Sequence, residues 1–265
     1  MRAIALHPGV LVVTSALLQV NCVMVRGGVE GAEGGETFVI DSPVLPDELD
    51  ALPALLEQAQ FPTPSGLLVT HGDWGHLLGR LAFPGVALGC AESTAERLRA
   101  APGEAQRELR AFDEGLMIER VRPLALGAVQ ALPVPGRCGV GDRELELHPA
   151  EGHTPDGMAV MVPWASVLVA GDYLSVAELP TLSVGGDFGA YLATLERLRG
   201  LVARSEQVVP GHGPILESGR ALRVLEEDVA YLEALAKGDE VALPDSRRGA
   251  VHRRQHMENV AVLRS

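Results

Sequence analysis

Three cysteines, Cys22, Cys90 and Cys138, are all that this 265-residue chain contains. They are widely spaced and odd in number, and they form no C-x-x-C pair, which excludes a disulfide framework. A reducing, cytoplasmic compartment is therefore expected. Positive charge is scarce too: 22 Lys and Arg against 35 Asp and Glu leave a formal net charge of −13. Such a surface repels phosphate backbones, so no nucleic-acid partner is expected. No apolar run approaches the length of a membrane span, so no membrane partner is expected either. "GVLVVTSALLQV" near the N-terminus is apolar, but only Arg2 flanks it, His7-Pro8-Gly9 interrupts it and no small-residue cleavage site follows. It reads as strand rather than leader. Low-complexity stretches and linkers are also lacking, so a single domain over residues 1–265 is expected, with C-terminal helices from about 217 to 265.

What is present is a core-forming composition, 47% hydrophobic and 22% charged, ordinary for a globular protein. Strand-like pieces come first, "VLVVTS", "VNCVMVRG" and "TFVIDS", joined by short turns such as "GGVEGAEGGE". "PDELDALPALLEQAQ" has an acidic start and leucines at helical spacing. "GLLVT" and "GVALGC" read as strands, while "AESTAERLRA" and "AQRELRAFDEGL" read as helices. The second half repeats the theme: strands at "RELELHPA", "MAVMVP" and "SVLVAGD", a helix at "FGAYLATLERLRGLVARS", then a short strand in "EQVVPGHGP". Two more helices are expected around 217–237 and 250–263. This is an α/β chain of two successive strand-to-helix blocks, which predicts two sheets face to face with helices outside. Its chemically interesting residues fall where strands give way to loops, along one edge.

Those residues are His71, Asp73, His76, His153, Asp172 and His212, in the loops "THGDWGH", "EGHTPDG", "VAGDY" and "VPGHGP". Glycine beside each lets backbone and side chain crowd toward a shared centre. Imidazole and carboxylate are ligands expected for zinc, iron or manganese. A lone loop histidine is usually a hydrogen-bonding residue, and His7, His148, His252 and His256 are read that way. The six gain weight from their joint placement at successive strand ends. The Arg-rich stretch 247–254 reads as a solvated helix face, or alternatively as a rim for an anionic substrate.

In this order the four loops resemble the metal-binding motifs of the metallo-β-lactamase-fold superfamily, whose first motif is T-H-x-H-x-D-H. The resemblance runs from "NCVMV" to the last histidine loop. It implies an αββα sandwich with a one- or two-metal site between its halves. Carried over, His71 and His153 match ligands of the first metal, Asp172 the bridging carboxylate, and His76 and His212 ligands of the second. Two positions depart: Asp73 stands where the pattern has its second histidine, and Gly75 where it has its aspartate. The number of carboxylates is then unchanged, moved toward the first metal, and the second site is thin; alternatively, the glycines at 72 and 75 let the loop shift and bring Asp73 to the second metal. An oxygen donor at 73 tilts the site toward iron or manganese, although zinc is the first expectation.

The resemblance implies a metal-dependent hydrolase that attacks a small ester, thioester or lactone with metal-activated water, Asp73 and Asp172 orienting that water. Tyr173 or Tyr191 is a candidate donor to the leaving group, and residues 175–189 a candidate pocket wall. The superfamily's other chemistries leave two alternatives. One is a mononuclear iron oxygenase of the persulfide-dioxygenase type. The other is a binding protein impaired in catalysis by Gly75. The partner expected is a small, anionic molecule. The apolar face of "VLEEDVAYLEAL" also suits a homodimer.

Overall fold

The computed structural model describes residues 1–28, 35–183, 185–238 and 241–264. Most of the turn expected over 27–36, at 29–34, lies outside the described residues. The first sheet has the order β1 (Arg2–His7), β2 (Val10–Thr14), β3 (Asn21–Gly27), β4 (Glu36–Ile40), β5 (Gly66–Leu68), β6 (Ala87–Ala91), β7 (Val129–Leu132). It is antiparallel through β4 and parallel from β4 to β7. The second sheet contains β8 (Gly136–Val140), β9 (Arg143–Pro149), β10 (Met158–Val162), β11 (Val167–Gly171), β12 (Gln207–Pro210) and β13 (Leu216–Glu217). Its one parallel pair is β11 with β12, Val169 opposite Val209.

Period-two alternation assigns each strand residue to a layer. On β3, Val23 and Val25 point between the sheets, while Cys22 and Met24 point outward. On β10, Met158, Val160 and Val162 point inward, and Ala159 and Met161 outward. Because both faces are covered, these strands read as unbroken apolar runs rather than alternating ones. The outer face of the first sheet carries α1 (Pro46–Gln58), the single turn α2 (Gly79–Ala82), α3 (Glu92–Ala100) and α4 (Glu104–Leu116). The second is covered by α5 (Phe188–Val202) and α6 (Ser218–Lys237), with α7 (Ala250–Arg264) packed beside them. Asp187 caps α5 by accepting from the Ala190 N–H at 2.7 Å. The layers are therefore helices, sheet, sheet, helices.

The expected elements are present, and the sequence reading missed four strands. β1 is a half-exposed edge, and β7 and β8 have mostly exposed or half-exposed residues. β13 is only two residues long. The sheets are stitched together at the edge where β4, β5, β11 and β12 end. The Met158 N–H donates to the Thr70 carbonyl at 2.7 Å, and the Asn21 N–H to the Gly211 carbonyl at 2.8 Å. The Asn21 side chain donates to the carbonyls of Pro210 and Gly213, both at 2.8 Å.

Candidate metal centre

Five chain segments deliver their side chains to that edge. β5 runs out into Thr70 and His71, and a single 3₁₀ turn, Trp74–His76, returns His76 to the same point. The β9–β10 loop supplies His153, the end of β11 Asp172, and the end of β12 His212. Glycine is required at one of these ends: a Cβ at Gly211 would overlap Asp172 Oδ1.

The structure brings all six expected residues together. Asp172 lies at the middle: its Oδ2 is 3.6 Å from His71 Nε2 and 3.4 Å from both His153 Nε2 and His212 Nε2. Its Oδ1 is 3.3 Å from His76 Nε2. Asp73 Oδ2 faces the first-metal side, 3.8 Å from His71 Nε2 and 3.7 Å from His153 Nε2. His71, His76 and Asp172 form one group whose ligand atoms lie within 4.8 Å of one another, and His71, Asp73 and His153 form a second.

Each imidazole turns Nε2 inward, with an oxygen facing its Nδ1 from behind. Thr70 Oγ1 lies 3.0 Å from His71 Nδ1, and Asp41 Oδ2 lies 3.0 Å from His76 Nδ1, an ion-pair contact without hydrogen-bond alignment. The carbonyl of Thr181 is 2.7 Å from His153 Nδ1, and that of Leu18 is 2.8 Å from His212 Nδ1. Such outer partners fix ring orientation and tautomer in metal sites. Asp41 is central to this arrangement, since it also accepts from the Thr70 N–H at 2.8 Å and hydroxyl at 2.9 Å. It was missed in "TFVIDS", where an acid ending a buried strand was the available signal.

The electrostatics suit a cation. Burial alone would raise the Asp172 carboxyl, but His212, His76 and His71 hold it well below the usual carboxylate range. Burial is likewise outweighed at Asp73, which His153, His71 and Arg97 keep ionised. Burial opposes protonation of His76, yet Asp172 and Asp41 raise it well above its ordinary value. At His71 burial wins, helped by His76, and its pKa is lowered. Among the described residues, the buried His71 Nε2 has no hydrogen-bond partner, and Asp172 Oδ1 makes no aligned one. Orphaned inward-facing atoms on a carboxylate and an imidazole are the donor set that a divalent cation satisfies.

Several expectations are corrected. The carboxylate count omitted Arg97 and Asp156: Arg97 Nη2 donates to Asp73 Oδ1 at 2.7 Å and its Nη1 to Asp156 Oδ1 at 2.8 Å, so one positive charge is shared between two carboxylates and offsets that of Asp73 only in part. Tyr173 and Tyr191 are scaffold. The Tyr173 hydroxyl accepts from the His153 N–H at 3.0 Å and donates to the Ala150 carbonyl at 3.2 Å, while that of Tyr191 donates to the Asp172 carbonyl at 3.3 Å. Arg247 is fully buried, paired with Asp228 and Glu227, and donates to the carbonyls of Ser175 and Glu178, so this one arginine of the stretch 247–254 belongs neither to a solvated face nor to a rim, while Arg248 and Arg254 are exposed. His252 instead reaches the Ala177 carbonyl at 3.0 Å, so α7 secures the segment that begins at residue 175. Gly75 is not demanded by the backbone, because a Cβ there meets no described atom within 4 Å.

A sequence profile of the Metallo-beta-lactamase superfamily matches residues 16–212. The chain belongs to this superfamily. Its fold is similar to that of a metallo-beta-lactamase family protein from Thermus thermophilus, at 20% identity and a TM-score of 0.67, covering 88% of this chain and 82% of that one. A protein solved in a di-iron-bound form is similar at 24% identity and a TM-score of 0.59, covering 80% and 97%. A stereoselective inverting sec-alkylsulfatase from Pseudomonas sp. gives 14% identity and a TM-score of 0.70, covering 89% of this chain and 42% of that one. At these identities the likeness establishes the fold alone. No curated protein matches the sequence. No helix among the described residues is long and apolar enough to cross a membrane.

Proposed function

We propose that the chain is a metal-dependent hydrolase of a small ester, thioester or lactone. The observation that carries this reading is the convergence of four imidazole Nε2 atoms on Asp172 while an oxygen faces every Nδ1 from behind. His71, Asp73, His153 and Asp172 would hold a first ion, and His76, His212 and Asp172 a second. A divalent cation there supplies Lewis acidity, acidifying water and polarising a carbonyl. Asp73 Oδ2 and Asp172 stay ionised at neutral pH and supply the acceptors that orient an attacking water. A cavity of about 460 Å³ has Gly72 and Arg97 on its wall, but none of the six candidate ligands lines it; the cavity that His71, His153 and Asp172 line is only about 10 Å³.

The test is to strip the protein with chelator, reload it separately with zinc, manganese and ferrous iron, and assay p-nitrophenyl acetate, an acyl thioester and a γ-lactone. Metal-dependent turnover that His153→Ala abolishes supports the proposal. Absence of turnover with every ion and substrate would overturn it.

One observation favours a second reading. His71, His153 and Asp73 form two imidazoles and one carboxylate within a 4.8 Å group, the ligand set of non-haem iron oxygenases. The di-iron neighbour agrees with iron as a candidate ion. Oxygen consumption with a persulfide by the iron-loaded protein, without hydrolysis of any ester, would select this reading.

A further inference from the structure

Asp73 occupies the position where the superfamily motif carries a histidine, and a bare carboxylate is a poor substitute for an imidazole. It brings a full negative charge, two equivalent oxygens and freedom to rotate. The structure supplies what reduces each of these differences. Arg97, on α3, extends its guanidinium so that Nη2 donates to Asp73 Oδ1 at 2.7 Å and Nη1 to Asp156 Oδ1 at 2.8 Å. Asp156, only 1% exposed, is itself fixed, because its Oδ2 accepts from the Gly72 N–H at 2.8 Å. Arg97 is thus anchored on one side to the loop that carries His71 and Asp73, and on the other to Asp73 itself. With Oδ1 engaged, Asp73 has one oxygen left, Oδ2, and that oxygen faces His71 Nε2 and His153 Nε2.

We propose that Arg97 is a positioning residue that makes Asp73 a one-oxygen, partly charge-compensated stand-in for the missing imidazole. The proposal rests on the reading that the site holds a divalent cation. The planar fork of arginine is essential to the geometry, since it places two N–H donors on two carboxylates at a fixed angle, which an ammonium cannot do. Such outer partners of a ligand are worth about 10–100-fold in metal affinity.

Two opposing effects make the claim testable. Removing the guanidinium frees Asp73 to rotate, which weakens binding, but also removes a positive charge that repels the cation. The first effect exists only while Asp73 is present. Zinc dissociation constants are therefore measured by competition with a chromophoric chelator for native protein, Arg97→Gln, Asp73→Ala and the double variant. The expected result is a loss of about tenfold or more for Arg97→Gln in the native background, and no loss, or a gain, in the Asp73→Ala background. Arg97→Lys keeps the charge and a donor for Asp156, so it tests the same point in a protein that retains its fold, and a comparable loss is expected. Equal losses in both backgrounds would show a general structural role through Asp156, overturning the proposal. So would native-like affinity in Arg97→Gln or Arg97→Lys. If native protein itself binds no zinc, the cation reading fails first and takes this proposal with it, a result distinct from either of the others.

Discussion

Gly75→Asp restores the carboxylate that the superfamily motif has and this chain lacks. A Cβ at position 75 meets no described atom within 4 Å, so the substitution carries no packing cost at that atom. The residue sits in the 3₁₀ turn Trp74–His76, directly before a candidate ligand of the second ion. The protein donors there would rise from His76, His212 and Asp172 to four, with one more negative charge among them. Affinity of an oxygen-ligand site follows ligand number and charge. A tightening of about 10–100-fold is expected, or ~1.4–2.7 kcal/mol. Saturating metal converts that difference into stability of the folded state. At about 2–4 °C per kcal/mol for a domain of this size, the melting temperature in zinc rises by ~3–10 °C. In chelator no such gain appears, because the new carboxylate joins Asp41, Asp73 and Asp172. The assay pairs metal stoichiometry after equilibrium dialysis with thermal melts in zinc and in EDTA. If neither stoichiometry nor the zinc-dependent shift changes, position 75 does not face the second ion, and the residue-by-residue matching of the first motif is wrong.

Gly211→Ala places a Cβ on Asp172 Oδ1 and should cost about 1–3 kcal/mol of stability together with most bound metal, read from melts in EDTA and from metal analysis. Asn259 is 2% exposed and donates to the Pro180 carbonyl at 2.6 Å. Asn259→Ala should cost about 1–3 kcal/mol, and hydrogen exchange should quicken around Thr181, whose carbonyl holds His153. Burial disfavours protonated His212, but Asp172 and Glu178 outweigh it and lift its pKa from 6.5 to about 9. Its pairing with Asp172 thus stabilises the metal-free fold fully below pH 6.5 and fades as pH rises to about 9. Cation affinity moves the other way, climbing across the same interval with proton release, which calorimetry in buffers of different ionisation enthalpy measures.

The layers were legible because burial on both faces writes itself into sequence as apolar runs, and the β3, β10 and β11 stretches are such runs. The six candidate site residues were legible because glycine-flanked histidines and aspartates recur at strand ends, and the structure converges the four histidines on Asp172, with Asp73 beside His71 and His153. What escaped shows where sequence spacing is silent. Arg97 sits in "AESTAERLRA", which reads as a solvated amphipathic helix, and nothing in that spacing shows its guanidinium reaching two carboxylates in other loops. Asp41 escaped because a strand-ending acid usually begins a turn. Arg247 looked like one of several surface arginines, yet it is the one buried among α6 and the chain after Asp172. Each of these depends on a long-range pairing, which local pattern does not encode. Gly75 is the converse case: the sequence marked it as a departure, and the open space around it shows that packing does not require glycine there.

The most direct test of the metal centre is metal content by inductively coupled plasma mass spectrometry on untagged protein expressed without added zinc. The account predicts at least one divalent ion per chain, lost in His153→Ala and Asp172→Ala proteins that remain folded. Native protein that is folded, metal-free and still metal-free after soaking in zinc, manganese or ferrous iron would contradict it.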